Sequence, residues 1–163
     1  TSTNADNYIE FILKKYPNTL SEIIFYLKEK DELILNEMFG TVRYNGKGIF
    51  IAGGIGIVPF LSILRHLKLT NNLKGNLLIY SVKTRGDIVK EKEIKEMLGE
   101  DCVITLTREN KEGYYTGRIN ESFLKEKIRD FNTNFYIAGP DNFIIDIRKT
   151  INFVKQPNTY NFS

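Results

Sequence analysis

The rhythm of apolar and polar positions changes near residue 48. Before it, apolar residues come in short, partly alternating runs. Residues 8–14, carrying Tyr8, Ile9, Phe11, Ile12 and Leu13, read as a strand, and residues 32–36 read as a second. Between them Ser21 stands just ahead of Ile23, Ile24 and Leu27, the position of a helix cap. A turn is expected at Phe39-Gly40. Two strands and one short helix cannot bury a core alone, so residues 1–47 read as part of a larger β-rich unit. From residue 48 onward, unbroken apolar blocks alternate with helical stripes. The blocks predict strands at 49–52, 76–82, 102–107 and 134–138, and the stripes predict helices at 58–68, 89–98, 121–127 and 142–152. Continuous apolar strands suit a parallel sheet covered on both faces. The fold class expected is α/β: a parallel, doubly wound domain over residues 48–163 behind an incomplete β segment. Residues 157–163, with Tyr160 and Phe162, are expected to add a last strand.

The join between the first strand and the first long helix is the most telling stretch. Gly53, Gly54 and Gly56 fall within four positions, and Pro59 follows. Proline is tolerated in a helix's first turn, where its missing N–H is not needed. Glycine admits positive φ and close approach of a ligand. A helix N-terminus behind such a turn favours an anion, most often a phosphate. Gly54 and Gly56 are therefore expected to admit a pyrophosphate. The spacing departs from the usual dinucleotide fingerprint, because Pro59 stands where a third glycine would. A plain strand-to-helix turn remains the alternative. No Gly-Lys-Ser/Thr follows, which disfavours a P-loop hydrolase.

Composition removes several other classes. The formal net charge is +3, too mild for a nucleic-acid-binding face. Cys102 is the single cysteine and lies in an apolar run, so it reads as a core residue. That count allows no internal disulfide and no cysteine-ligated cluster, and points to a reducing, cytoplasmic setting. The single histidine, His66, has no second ligand at metal-binding spacing, so no metal site is expected. No apolar run is long enough to span a membrane.

In an open parallel sheet, ligands bind beyond the carboxyl ends of the strands. Those ends carry Gly53, Gly54 and Gly56; then Ser81, Lys83, Thr84 and Arg85; then Thr107 and Arg108; then Gly139, Pro140 and Asp141. An acidic residue closing the second strand would mark NAD through its ribose. Ser81, Lys83 and Arg85 occupy that region instead, which points to a 2′-phosphate and hence NADP. No Ser/His/Asp or Cys/His set is visible, and no catalytic residue is assigned. Hydride transfer needs few such groups, because the cofactor carries the chemistry.

These motifs, in this order, resemble the ferredoxin–NADP reductase family, and within it the small flavodoxin and ferredoxin reductases. The residues that carry the likeness are Ala52-Gly53-Gly54-Ile55-Gly56 with Pro59-Phe60, Leu78-Ile79-Tyr80-Ser81, Thr107-Arg108-Glu109, Gly117-Arg118-Ile119 and Tyr136-Ile137-Ala138-Gly139-Pro140. The resemblance implies an NADP-binding domain over 48–163, and over 1–47 the C-terminal part of an FAD-binding β-barrel. It implies NADPH-dependent reduction of FAD, with electrons passed to a flavodoxin, a ferredoxin or a similar acceptor. It implies that Lys83, Arg108 and Arg118 hold the 2′-phosphate, that Ala138, Gly139 and Pro140 line the nicotinamide pocket, and that Ser21 contacts an FAD phosphate. The family's flavin motif would lie ahead of Thr1, and Asn18 replaces a glycine near Ser21. Weak FAD retention and self-association through the incomplete barrel are therefore expected. Val58 replaces a threonine and Ala138 a cysteine, which removes groups near the nicotinamide. A pyridine-nucleotide-binding module without flavin is the alternative.

Overall fold

The computed structural model describes residue 2, residues 6–35 and residues 42–155. Within them the chain builds α1 (Leu20–Ile24), β1 (Gly48–Gly53), α2 (Ile57–Leu69), β2 (Leu77–Val82), α3 (Glu91–Leu98), β3 (Cys102–Leu106), β4 (Tyr115–Thr116), α4 (Glu121–Lys127), β5 (Asn134–Ala138) and α5 (Asp141–Lys155). The strands form one five-stranded sheet in the order β4-β3-β2-β1-β5. Every pairing is parallel, with Ile51 opposite Ile79 on one side and Ile137 on the other. The α/β expectation holds, and the four long strands fall within a residue or so of their predicted places. The two-residue β4 was not foreseen; it is too short to show a period.

The pleat sorts the core into two layers. Phe50 and Ala52, Leu78 and Tyr80, Ile104 and Leu106, and Tyr136 and Ala138 face α2 and α3, where Phe60, Leu61, Leu64 and Ile94 meet them. Their neighbours Ile49, Ile51 and Ile79 face the other way, against Leu124 of α4 and Ile147 and Ile151 of α5. Helices on both faces explain the unbroken apolar runs, since neither face of these strands meets water. The chain steps outward from β1 through β2 to β3, then returns to place β5 on the opposite side of β1. The topology therefore reverses between β1 and β5, and a crevice opens there at the strands' carboxyl ends. Buried Asn76 ties the opposite end of the sheet. Its side chain accepts from the Gly48 amide at 3.1 Å and donates to the Leu73 carbonyl at 2.9 Å.

The first 35 residues depart from expectation. Residues 8–14 and 32–35 form no strand. Alternation marks a possible strand, but a strand also needs a ladder partner, and no described residue pairs with them. Residues 8–14 instead run as an irregular strap, with Ile12 packed on the α2/α3 layer. Ile34 is 89% exposed, so the second run meets solvent rather than a sheet. A helix does form at Leu20–Ile24, but Thr19 is its N-cap, and Ser21 is a helical residue. The Ser21 hydroxyl accepts from the Tyr16 amide at 3.1 Å and meets the Thr19 hydroxyl at 2.7 Å. Asn18 stands at φ +58°, the left-handed region that glycine enters most easily and that Asn also tolerates. The turn at Phe39-Gly40, residue 36 of the second predicted strand and the tail at 157–163 lie outside the described residues.

Candidate functional site

A cleft of about 560 Å³ crosses the carboxyl end of the sheet, within the usual size of small-molecule sites. Its floor is the glycine turn and the neighbouring strand ends: Gly53, Gly54, Ile55, Ser81, Val82 and Thr107. One wall is the strap, through Ile12, Leu13, Lys14 and Tyr16. The other is the start of α5, through Pro140, Asn142, Phe143, Asp146 and Ile147. Lys83, Asp87, Val89, Arg118 and Ile119 complete its rim.

The three glycines of the turn do different work. Gly54 has φ +55°, and a Cβ there would meet nothing within 4 Å. It is the glycine that leaves open space on the cleft floor. Gly56 has φ −60°, an ordinary helical value. A Cβ on Gly56 would sit 2.3 Å from the Ala138 carbonyl oxygen and 2.6 Å from the Gly139 nitrogen. Gly56 therefore lets the turn pack on the end of β5 and, unlike Gly54, does so without positive φ. A Cβ on Gly53 would fall 2.8 Å from the Phe143 ring, as would one on Gly139, whose φ is +155°. These two glycines make room for that ring above the strand ends. Pro59 is the third residue of α2, still in the first turn, and does not line the cleft. Among the described residues no side chain caps that first turn.

The basic residues divide similarly. β2 and β3 stay paired beyond their ends, the Thr107 amide donating to Val82 O at 2.8 Å and the Arg108 amide to Lys83 O at 2.9 Å. Lys83 and Arg108 are thus neighbours, both exposed, but only Lys83 lines the cleft. Arg118 reaches it from the other side of β3. Gly117 anchors it there, its amide donating to Leu106 O at 2.8 Å and its carbonyl accepting from Thr105 Oγ1 at 2.6 Å. Of the residues proposed from sequence, Gly53, Gly54, Ser81, Lys83, Arg118 and Pro140 share the cleft. Gly56, Pro59, Arg108, Ala138, Gly139 and Ser21 are not among its lining residues.

Sequence reading missed Asp87, Phe143, Asp146 and the strap. Asp87 lies beyond β2, where an acid would mark a ribose, but its carboxylate turns back on the loop. It accepts from the Thr84 amide at 3.0 Å and the Thr84 hydroxyl at 2.8 Å. Those bonds first, and the charges of Lys14 and Lys83 after them, hold its carboxyl below the ordinary range. Phe143 had a signal: glycines ending two adjacent strands leave a space that a ring four residues on can fill. Cys102 lies away from this cleft, and burial pushes its thiol up to about 11, as befits a packing residue.

An open parallel sheet with a glycine turn at its reversal point is the architecture of nucleotide-binding α/β domains. The chain belongs to the oxidoreductase NAD-binding domain family, whose model matches residues 50–149. The reductase component of propane 2-monooxygenase from Mycolicibacterium smegmatis is 24% identical over 156 residues, covering 86% of this chain and 45% of the relative. The chain thus spans about half the length of that curated relative. The cytochrome b5 reductase domain of Ulva prolifera nitrate reductase superposes with a TM-score of 0.67 at 17% identity, covering 87% of this chain and 63% of that one. A ferredoxin NADP+ reductase from Neisseria gonorrhoeae, solved with FAD and NADP, gives 0.55 at 24% identity over 72% of this chain and 52% of its own. The resemblance read from the motifs is borne out. No helix among the described residues is long and apolar enough to cross a membrane.

Proposed function

We propose that the chain is the pyridine-nucleotide-binding part of an electron-transferring reductase, and that the dinucleotide lies in the cleft across the ends of β1, β2 and β5. The observation that carries this is Gly54: a left-handed residue with open space where a side chain would stand, on the floor of the cleft at the sheet's reversal point. A phosphate can approach that backbone closely. A reduced nicotinamide, when bound, would supply a hydride, and this chain's residues would hold and orient it. Phe143 gives the cleft an apolar wall, and Ser81 a hydroxyl on its floor. Residues 48–163 form the nucleotide unit in this reading, and residues 1–47 belong to a flavin-side unit. Through FAD the whole protein would pass electrons to a flavodoxin, a ferredoxin or an oxygenase partner.

For flavin the described residues fit poorly. Residues 6–35 form no sheet, and the Ser21 hydroxyl is already engaged within its own turn. This favours a second reading, a nucleotide-binding module that works without flavin. Stoichiometric flavin absorbance surviving gel filtration refutes the second reading; flavin-dependent reduction of an acceptor by NADPH, absent when flavin is withheld, supports the first.

NADP is the preferred nucleotide in this proposal. Lys83 and Arg118 bring two cations to the rim while Asp87 is folded back on Thr84. Each charge-assisted phosphate contact is worth about 1.5–3 kcal/mol, so two give a preference on the order of a hundredfold or more. Calorimetry of Arg118→Ala and Lys83→Ala against both nucleotides tests it. NADP affinity falls in each while NAD affinity barely moves. Equal losses for both nucleotides, or none for either, refute the 2′-phosphate assignment.

A further inference from the structure

Glu10 sits at the middle of the strap and is held from two sides. Its Oε2 accepts from Arg65 Nη1 at 2.8 Å, and its Oε1 from Lys90 Nζ at 2.6 Å. Arg65 is itself fixed on α2 by a two-pronged grip on Glu93 of α3, its Nε and Nη2 donating at 2.5 and 2.8 Å. Arg65 and Glu10 are shielded, at 14% and 21% exposed, while Lys90 reaches in from the surface. Bidentate guanidinium–carboxylate pairs of this kind are the strong members of their class. Packing holds the strap less firmly. A second cleft of about 480 Å³ opens beside it, between Phe11, Leu13, Ile24, Phe25 and Val89. Within the strap only Ile12 joins the core.

The residues just past Glu10 are those that wall the nucleotide cleft: Ile12, Leu13, Lys14 and Tyr16. We infer that the Arg65–Glu10–Lys90 clamp is a positioning device for that cleft. It seats the strap, and through the strap it sets the wall against which the nucleotide closes. None of the three clamp residues lines the cleft, so their influence on the ligand is indirect. The inference rests on the nucleotide reading proposed for the cleft. It assigns to Arg65, on the far side of the strap, an effect on affinity that a surface ion pair would not have.

The test uses the whole 163-residue chain with NADPH and NADH as probes, and three variants. Glu10→Gln removes the clamp's negative charge and keeps its shape. Lys90→Met removes one partner from an exposed position and serves where Glu10→Gln folds badly. Gly54→Val blocks the cleft floor directly. Hydrogen exchange without nucleotide reads the strap, and calorimetry reads affinity. In both clamp variants, amides of residues 8–16 exchange about tenfold faster, as local opening requires. Nucleotide affinity falls about tenfold, within the range of couplings between separate sites. Binding by the parent chain, lost in Gly54→Val and unchanged in both clamp variants, overturns the clamp and leaves the cleft reading standing. Unchanged exchange of residues 8–16 also overturns it. A parent chain that binds neither nucleotide overturns the cleft reading and the clamp's role together.

Discussion

Gly54 and Gly56 are two residues apart and alike in sequence, yet alanine at each should fail in a different way. At Gly56 a methyl group would meet the Ala138 carbonyl oxygen at 2.3 Å, its carbon at 2.4 Å and the Gly139 nitrogen at 2.6 Å. All three are backbone atoms of the β5 end, and β5 is hydrogen-bonded to β1 along its length. Neither side can give without breaking strand pairing. Overpacking of a tight core costs typically 1–3 kcal/mol, and a backbone clash this short belongs at the top of that range, about 3 kcal/mol or more. For a domain of this size that lowers the melting temperature by about 10 °C.

At Gly54 the same methyl group meets nothing within 4 Å, and the cost is only that of holding alanine at φ +55°. That strain is about 1–2 kcal/mol, or a fall of about 5 °C. The methyl group then stands on the cleft floor, and nucleotide affinity drops at least about tenfold if one phosphate contact is lost. Thermal unfolding by circular dichroism, with calorimetric titration of each folded variant, separates the two. Gly56→Ala should be the less stable protein and Gly54→Ala the weaker binder. A Gly56→Ala protein as stable as the parent would refute the packing role. A Gly54→Ala protein with unchanged affinity would refute the assignment of the cleft floor.

Two more outcomes follow from the strap. Hydrogen bonds from Lys90 and then Arg65 hold the Glu10 carboxyl at about 2 against an ordinary 4.5. A depressed carboxylate stabilises the fold above its unfolded pKa and loses that contribution as pH falls through the folded one. Discounted for solvent screening of the partly exposed Lys90 partner, the contribution is about 1 kcal/mol, lost between roughly pH 5 and pH 2. Melting curves of the parent should therefore fall more steeply over that window than those of Glu10→Gln, and parallel curves would count against the clamp. Tyr8, Ile9 and Phe11, with Leu33, Ile34 and Leu35, are exposed, and clustered exposed apolar residues invite association. Light scattering should show mass rising with concentration, an effect reduced by Ile9→Lys with Ile34→Lys; a concentration-independent monomer would refute it.

How far the sequence was legible depended on where each residue's partners lie. The stretch from Gly48 to α2 could be read because its signals are local: an apolar run, a glycine turn and a proline in the first helical turn. The same holds for α4, whose Asn120 cap accepts from the Phe123 amide at 2.9 Å within one turn. Residues 8–14 misled because alternation is local while pairing is not. Gly54 and Gly56 could not be told apart, since what distinguishes them is the carbonyl of Ala138, far along the chain. Asn18 shows the reverse case. Its substitution for glycine looked like a loss, but its φ of +58° is one that asparagine tolerates.

The two sides of the cleft are built by different forces, and this bears on how it works. Its floor and the α5 wall belong to the sheet and its helices, where Phe143 is wedged over two glycines and Ile147 is buried in the core. Core packing of that kind is stiff and carries no charge for acid to remove. The strap wall has one core anchor, Ile12, and a cluster of charges. Shielded charges resist screening better than exposed ones, yet acid still removes them. The cleft thus has one fixed jaw and one held by ionisation. Of the rim cations Lys14, Lys83 and Arg118, only Lys14 rides on the second jaw. Loosening the clamp should therefore move Lys14 relative to the other two without disturbing the sheet. A weaker clamp then shows itself as lost affinity before it shows itself as lost fold.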